Sequence, residues 1–349
     1  MITHPHVKIN LGLSVLRKRP DGYHDLETLF VPYHGLSDTL EIIAGEDWSE
    51  TSASLFARYS PDETVQAISP DGSLMVTIAR RGGVDWDPLH DLTARAYFLL
   101  RDEGFKLPPM KIFLEKTSPV GAGLGGGSSD AAFALRMISE LAGLGLPDAE
   151  LAGFAARLGS DCAFFVYDRP MLGEGRGEVL TPYDLDISAY DLRVVVPEGI
   201  SVSTAEAYRG IRPRLFPAPE ACSLREAELN PGGECFPQGA GPRGCGVQPS
   251  NGKAEAVRQV ADGSIPRRDK ISAGGSDLPD RREQMPLQEA LARPVEQWRD
   301  CLVNDFETTV FAAHPALATF KQRLYDEGAV YASMSGSGSA LFGLFAKKQ

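Results

Sequence analysis

The chain has 349 residues, enough for two domains with substantial cores, and its 43% hydrophobic and 23% charged residues are ordinary for a globular protein. A net charge of −12, from 35 basic and 47 acidic side chains, argues against a general nucleic-acid or membrane-surface binder but leaves room for a local basic pocket. No apolar stretch approaches the roughly 20 residues of a spanning helix, residues 1–6 lack signal-peptide character, and five cysteines without a CxxC pair suit a reduced, cytoplasmic protein.

Val7, Ile9, Leu11, Leu13 and Val15 alternate with other residues, the period of a half-buried strand. Asp21-Gly22 marks a turn, and residues 26–31 read as the returning strand. Further strands are expected at 39–43 and 74–78, a helix at 92–101 and a strand at 110–115. Helical stretches follow at about 128–141 and 148–158, and the apolar run 162–166 reads as a strand. Residues 192–196 have a buried-strand pattern, with a short helix over 204–209. Between 213 and 286 proline and glycine make up 20 of 74 residues, against 41 of the other 275, and apolar periodicity vanishes. That composition reads as a low-complexity insertion without a chemical role, and the spacing of its Cys222, Cys235 and Cys245 matches no zinc pattern. Helices are expected again at 294–306 and 315–327, then strands at 329–334 and 340–345 flanking Ser335-Gly336-Ser337-Gly338-Ser339.

Function is concentrated in the run from Pro119 to Ala132, where five glycines fall within seven residues and lead into Ser128-Ser129-Asp130-Ala131-Ala132. Glycine lacks a Cβ, so such a loop can turn backbone N–H groups inward around an oxyanion. The following helix adds unpaired first-turn donors and the positive end of its dipole. The run formally satisfies the dinucleotide fingerprint, but one helix is followed by another rather than by a second strand, so that reading fails on context. A P-loop needs Gly-Lys-Ser/Thr, where this chain has Gly-Ser-Ser, and the His-Arg-Asp and Asp-Phe-Gly of protein kinases are missing.

The surviving pattern, Pro-x-Gly-x-Gly-Leu-Gly-Gly-Gly-Ser-Ser-Asp-Ala-Ala, resembles the phosphate-binding motif of the GHMP kinases (galactokinase, homoserine kinase, mevalonate kinase and relatives). His6-Val7-Lys8-Ile9-Asn10-Leu11 resembles the family's opening motif, and Ser335–Ser339 its closing glycine motif, which packs beside the nucleotide loop. The segment from Arg19 to Phe30, containing Asp21-Gly22-Tyr23-His24, is narrower. With residues 158–161, 173–178 and 303–307 it is similar to the GHMP kinases acting on a cytidine diphosphate-linked methylerythritol in the non-mevalonate route to isoprenoid precursors. Outside about 213–286 the resemblance covers essentially the whole chain. Two other readings stay open here: a different small-molecule kinase of the family, or a catalytically silent nucleotide-binding protein.

The resemblance implies an α+β fold in two lobes with the active site in the cleft between them. A ribosomal-protein-S5-like amino-terminal domain (1–170) would bind ATP, and a ferredoxin-like carboxyl-terminal domain (171–349) would carry the insertion. It assigns the ATP phosphates to Pro119, Gly121, Ala122, Gly123, Leu124, Gly125, Gly126, Gly127, Ser128 and Ser129. Asn10, Tyr23, His24, Thr204 and Tyr208 line the acceptor site, with Tyr23 stacking on the base and His24 meeting its polar edge. Lys8 and Asp161 are the catalytic pair. Each charge is costly to bury alone, so they are expected to face each other. At about 4 Å and an effective dielectric near 20 the attraction is of order 4 kcal/mol, enough to favour both charged forms. Mg²⁺ is expected with ATP, with no acidic ligand named for it, and the partner is a small molecule rather than nucleic acid or membrane. Three departures from the family pattern stand out: His4-Pro5-His6-Val7 before the lysine, Ala163 after Asp161, and Asp91-Leu92 where Asn-Leu is common.

Overall fold

The 13-residue strand β2 (His6–Lys18) buries both of its faces. A computed structural model describes residues 1–211 and 285–347 of the chain, so all of the expected insertion except Met285 and Pro286 lies outside the described residues. Val7, Ile9 and Leu11 pack into one core with Trp298, Tyr331 and Phe342, and Leu13 and Val15 into another with Phe306, Val310 and Leu324. Lys8, Asn10 and Ser14 occupy the alternate positions and are also buried. The alternation read from sequence is therefore apolar against polar, not buried against exposed. Lys8 and Asn10 of the polar face line a cavity, whereas Ser14 does not.

β2 pairs antiparallel with β3 (His24–Ser37), which is followed by β8 (Met171–Glu174) and β9 (Val179–Pro182) in a four-stranded sheet. At its start the register slips: His6 lies opposite Ser37 but Val7 opposite Tyr33, so residues 34–36 bulge out of β3. A five-stranded sheet has the order β1 (Ile2–Thr3), β4 (Thr39–Ala44), β7 (Met110–Lys116), β6 (Leu74–Arg80), β5 (Thr64–Ile68), and only β6 and β7 run parallel. After α1 (Ser52–Arg58), the helices α2 (Leu92–Asp102), α3 (Gly126–Leu141), α4 (Asp148–Leu158) and α5 (Cys162–Tyr167) share a core with this sheet. A three-stranded antiparallel sheet, β10 (Tyr190–Val195), β12 (Leu341–Ala346) and β11 (Tyr331–Met334), packs with α9 (Phe306–Ala313) and α10 (Pro315–Asp326). The short helices α6 (Thr204–Tyr208), α7 (Leu287–Leu291) and α8 (Trp298–Cys301) complete the described elements.

Three expectations need correcting. The run Cys162–Val166 forms α5, not a strand; a short apolar run buried on every side has no period to tell the two apart. Helix α3 begins at Gly126 rather than at 128, because Gly125 takes the left-handed conformation (φ +71°) and serves as its N-cap. The helix expected over 294–306 is a 3-10 turn (Val295–Gln297) and α8, broken at Leu302, which is extended. The break has a tertiary cause. Leu13 donates its N–H to the Val303 carbonyl (3.0 Å), Asp305 N donates to Leu13 O (2.9 Å), and the Asp305 carboxylate accepts from Val15 N (2.8 Å). Pairing with β2 outweighs helix propensity there.

One buried ionic cluster ties sheet to helix. Lys116, at the end of β7, donates to Asp130 of α3 (2.6 Å), to Ser118 (3.0 Å) and to Asp38 between β3 and β4. Burial alone would lower the Lys116 pKa, but Asp130 and Asp38 outweigh it and hold the ammonium above its ordinary value. Lys116→Met should leave two buried carboxylates facing each other and reduce stability by about 3–5 kcal/mol. Urea denaturation measures this, and a loss below about 1 kcal/mol would show that the cluster contributes little.

Candidate active site

Lys8 is 2% exposed and its ammonium is enclosed by three oxygens. It lies 3.4 Å from Asp161 Oδ2, donates to Gly123 O at 3.1 Å, and donates to Asn10 Oδ1. Phe30 places its ring 5.3 Å from Nζ on another side. Asn10 is fixed in turn: its Nδ2 donates to Thr28 Oγ1 (3.0 Å), which donates to Gly12 O (2.6 Å). The expected pair is thus in place. Its electrostatics differ from the sequence-based estimate, because burial outweighs the attraction of Asp161 and pulls the Lys8 pKa below its usual value. Asp161 is the N-cap residue of α5, yet its side chain caps nothing and remains 31% exposed towards the cleft.

The glycine loop approaches the closing Ser-Gly-Ser-Gly-Ser segment so closely that side chains are excluded. A Cβ on Gly123, where φ is +77°, would stand 2.3 Å from the Ser335 carbonyl oxygen. Ser335 Oγ donates to Gly123 O (3.0 Å), and Ala340 N donates to Ala122 O (3.0 Å). Asn304 holds the other side of the closing segment, donating from Nδ2 to the carbonyls of Met334 and Gly336, each at 2.8 Å. The loop borders two cavities, and Gly121, Gly123 and Gly125 line both.

One cavity, of about 840 Å³, is lined by Lys8, Asn10, Tyr23, His24, Asp161, Thr204 and Tyr208 as well as by Gly121, Gly123 and Gly125. It holds both members of the expected catalytic pair and all five expected acceptor-site residues. His24 stacks on Tyr208 (ring centroids 4.6 Å apart, 16° between planes), and Tyr208 meets Phe306 edge-on at 4.8 Å. Burial lowers the His24 pKa, with Lys18 assisting, so the ring favours its neutral form. Tyr23 stays 57% exposed at the rim, with the Arg176 guanidinium 5.1 Å from its ring centre. Thr204 lies 3.5 Å from Ser337 of the closing segment.

The second cavity, of about 460 Å³, is bordered by Pro119, Gly121, Ala122, Gly123, Gly125, Gly126, Gly127 and Ser128, with Trp86 and Leu92 as apolar walls. The first-turn N–H groups of α3 belong to residues 126–128 on this border, and they have no intrahelical acceptor. Leu124 and Ser129 border neither cavity. Leu124 joins the core around Trp298 and offers its carbonyl to Lys8 N (2.9 Å), while Ser129 is fully buried.

Sequence reasoning passed over several residues that shape the site. Arg176 belongs to the segment 173–178, whose fit to the family carried no role for the arginine, although a cation beside an exposed aromatic is a usable signal. Asp130 also borders the second cavity; burial raises its pKa well above the usual range, and its Oδ1 has no hydrogen-bond partner. The aspartate is part of the glycine-loop pattern, but the pattern carried no separate role for it.

The model for the GHMP kinases N terminal domain matches residues 91–169 and that for the GHMP kinases C terminal domain residues 287–349. A 4-diphosphocytidyl-2-C-methyl-D-erythritol kinase of Bacteroides fragilis is 35% identical, with 100% of this chain and 93% of that protein covered. The enzyme of the same name from Porphyromonas gingivalis is also 35% identical at the same coverage. A crystal structure of 4-(cytidine 5′-diphospho)-2C-methyl-D-erythritol kinase superposes with a TM-score of 0.58 at 28% identity, covering 99% of this chain and 90% of that one. A mevalonate kinase structure, at TM-score 0.52 and 10% identity, shares the fold.

Gly123→Ala tests the loop bordering both cavities. Strain at a positive φ together with the Ser335 contact should reduce stability by about 1–3 kcal/mol and weaken binding of an adenine nucleotide. Unchanged denaturation and unchanged nucleotide affinity would remove the close approach from the account.

Proposed function

This chain belongs to the GHMP kinases, and within them to the 4-diphosphocytidyl-2-C-methyl-D-erythritol kinases; from that premise we propose that Lys8 and Asp161 carry its phosphoryl transfer. The reaction is ATP-dependent phosphorylation of the 2-hydroxyl of 4-(cytidine 5′-diphospho)-2-C-methyl-D-erythritol in the non-mevalonate isoprenoid pathway. One observation supports the residue assignment above the others. The Lys8–Asp161 pair opens into the larger cavity at the glycine loop, and that same loop borders the second cavity.

In this reading ATP occupies the smaller cavity, its phosphates received by the amides of residues 126–128 and by the positive end of α3. The cytidine diphosphate substrate occupies the larger one. Tyr23 and Arg176 flank the base at the rim, while His24 and Tyr208 form the inner aromatic wall. The acceptor hydroxyl is directed to Asp161, which receives its proton. An ordinary carboxylate is a weak base before the reaction, but in a loose transition state the proton leaves late and positioning dominates. Lys8 orients Asp161 beside Gly121, Gly123 and Gly125, which line both cavities, and there the acceptor oxygen bonds to the γ-phosphorus as the bond from phosphorus to the bridging oxygen breaks and ADP leaves.

Mg²⁺ is part of the proposal. The Asp130 Oδ1, unpartnered at the border of the ATP cavity, would fit the ion as a hard oxygen donor once the carboxyl gives up the proton that burial favours, while Lys116 holds the other oxygen. Bound with ATP, the ion would draw negative charge from the phosphates. The division into an ATP-binding part at 1–170 and a carboxyl-terminal part at 171–349 also belongs to the proposal, supported by the separate spans of the two family models. Among the described residues no helix is long and apolar enough to cross a membrane, and a cytoplasmic setting accords with the cysteine usage.

Asp161→Asn should reduce turnover at least about 10²-fold, the lower end for loss of a positioned base. ATP and cytidine nucleotide affinities should remain close to those of the parent. ADP release with the cytidine diphosphate substrate, alongside calorimetric titration of each ligand, separates the two effects. Near-normal turnover in this variant would remove Asp161 from the chemistry.

A further inference from the structure

A second cluster of ligating side chains sits at the far end of the same elements. His6 opens β2, His34 lies in the bulge of β3, and Asp168 ends α5; one nitrogen or oxygen from each lies within 4.8 Å of the others. None of these residues lines either cavity described above. His6 is 3% exposed, yet its Nε2 has no hydrogen-bond partner. That nitrogen is 2.9 Å from Asp168 Oδ1 but is not aligned to donate to it. A buried ring nitrogen without a partner is costly, and the cost is removed if its lone pair meets an ion.

The surroundings agree. The His34 ring lies over His6 with centroids 4.2 Å apart, and Phe133 and Phe165 meet the His6 ring edge-on at 5.7 and 5.8 Å, shielding its inner side. His34 and Asp168 are exposed, so the cluster is open to solvent on its outer side. Two imidazoles and one carboxylate form the donor set of open, three-ligand transition-metal sites; magnesium and calcium instead select oxygen. Bonds of roughly 2.1 Å to a common ion hold donors roughly 3.4 Å apart. The three donor atoms lie within 4.8 Å of one another, and the two that would have to close to that spacing belong to the exposed His34 and Asp168.

We propose that His6, His34 and Asp168 form a binding site for a divalent transition-metal ion of the Zn²⁺ class. The ion joins the start of β2 to the end of α5. Lys8 stands two residues along β2 from His6, and Asp161 heads the helix that Asp168 ends, so the ion braces both supports of the catalytic pair from outside the cleft. The site does not depend on the kinase reading, since none of its ligands touches the proposed substrates.

The test uses the full chain after treatment with a chelator. Zn²⁺ is titrated in competition with a chromophoric indicator, Co²⁺ serves as a spectroscopic probe, and thermal unfolding is followed with and without Zn²⁺. One equivalent of Zn²⁺ should bind, raise the unfolding temperature, and leave a Co²⁺ spectrum free of thiolate charge-transfer bands. His34→Ala and Asp168→Asn should each lose that equivalent and the thermal shift while keeping the parent far-ultraviolet circular dichroism. Asp168→Gly supplies a second carboxylate deletion suited to the left-handed backbone at this position (φ +48°). Undiminished Zn²⁺ binding in the variants, a thiolate band with Co²⁺, or equally effective displacement by Mg²⁺ would each overturn the site.

Discussion

The structure is organised around the burial of one ammonium group. Lys8 has three protons, and three oxygens surround it: one from its own strand, one from the glycine loop and one at the head of α5. Satisfying all three fixes the relative positions of β2, residues 121–125 and α5 more firmly than apolar contacts alone, since an unpaired buried charge costs several kcal/mol. Asn10, Thr28 and Gly12 extend the same network along the sheet. The cleft is therefore assembled from the inside outward. Burial also draws the Lys8 pKa down, a bias found where a group is positioned for chemistry as well as for structure.

The glycine loop has two duties that the same residues perform. Its backbone faces outward to both cavities, and inward it is pressed against the segment 335–339 with no room for a Cβ at Gly123. A rigid loop presents its N–H groups already oriented, which reduces the reorganisation needed when an anion binds. The buried cluster of Lys116, Asp38 and Asp130 anchors the sheet-to-helix transition directly behind it.

Most of the site was legible because its chemistry demands unusual residue patterns. A glycine run between a strand and a helix, a lysine among alternating apolar residues, and Tyr23-His24 after a turn are each ordinary alone, and it is their combination in one order along the chain that points to a site. Strands β4, β6 and β7 and helices α2, α4 and α10 could be read closely from periodicity and turn residues. What escaped was decided by contacts distant in sequence. Leu302 is extended because the following residues pair with Leu13, and residues 162–166 are buried on every side, which leaves no period to mark them as helix. The significance of Asn304, Arg176 and Asp130 depends on neighbours that no local window contains. His6 stood out only as a departure before the lysine; its relation to His34 and Asp168 needed the β3 bulge and the left-handed end of α5.

The contacts that complete the cleft join residues very far apart along the chain. Ser335 meets Asn10 across 325 positions and Gly123 across 212, and Asn304 bridges to Leu13. On the ribosome, β2 and the glycine loop emerge long before the segment that closes over them. Until then a nascent chain carries a polar strand face with only part of its covering. Such long-range closure slows folding and lengthens exposure to aggregation. The cleft is thus complete only after the last-made sheet has docked on strand and loop made much earlier.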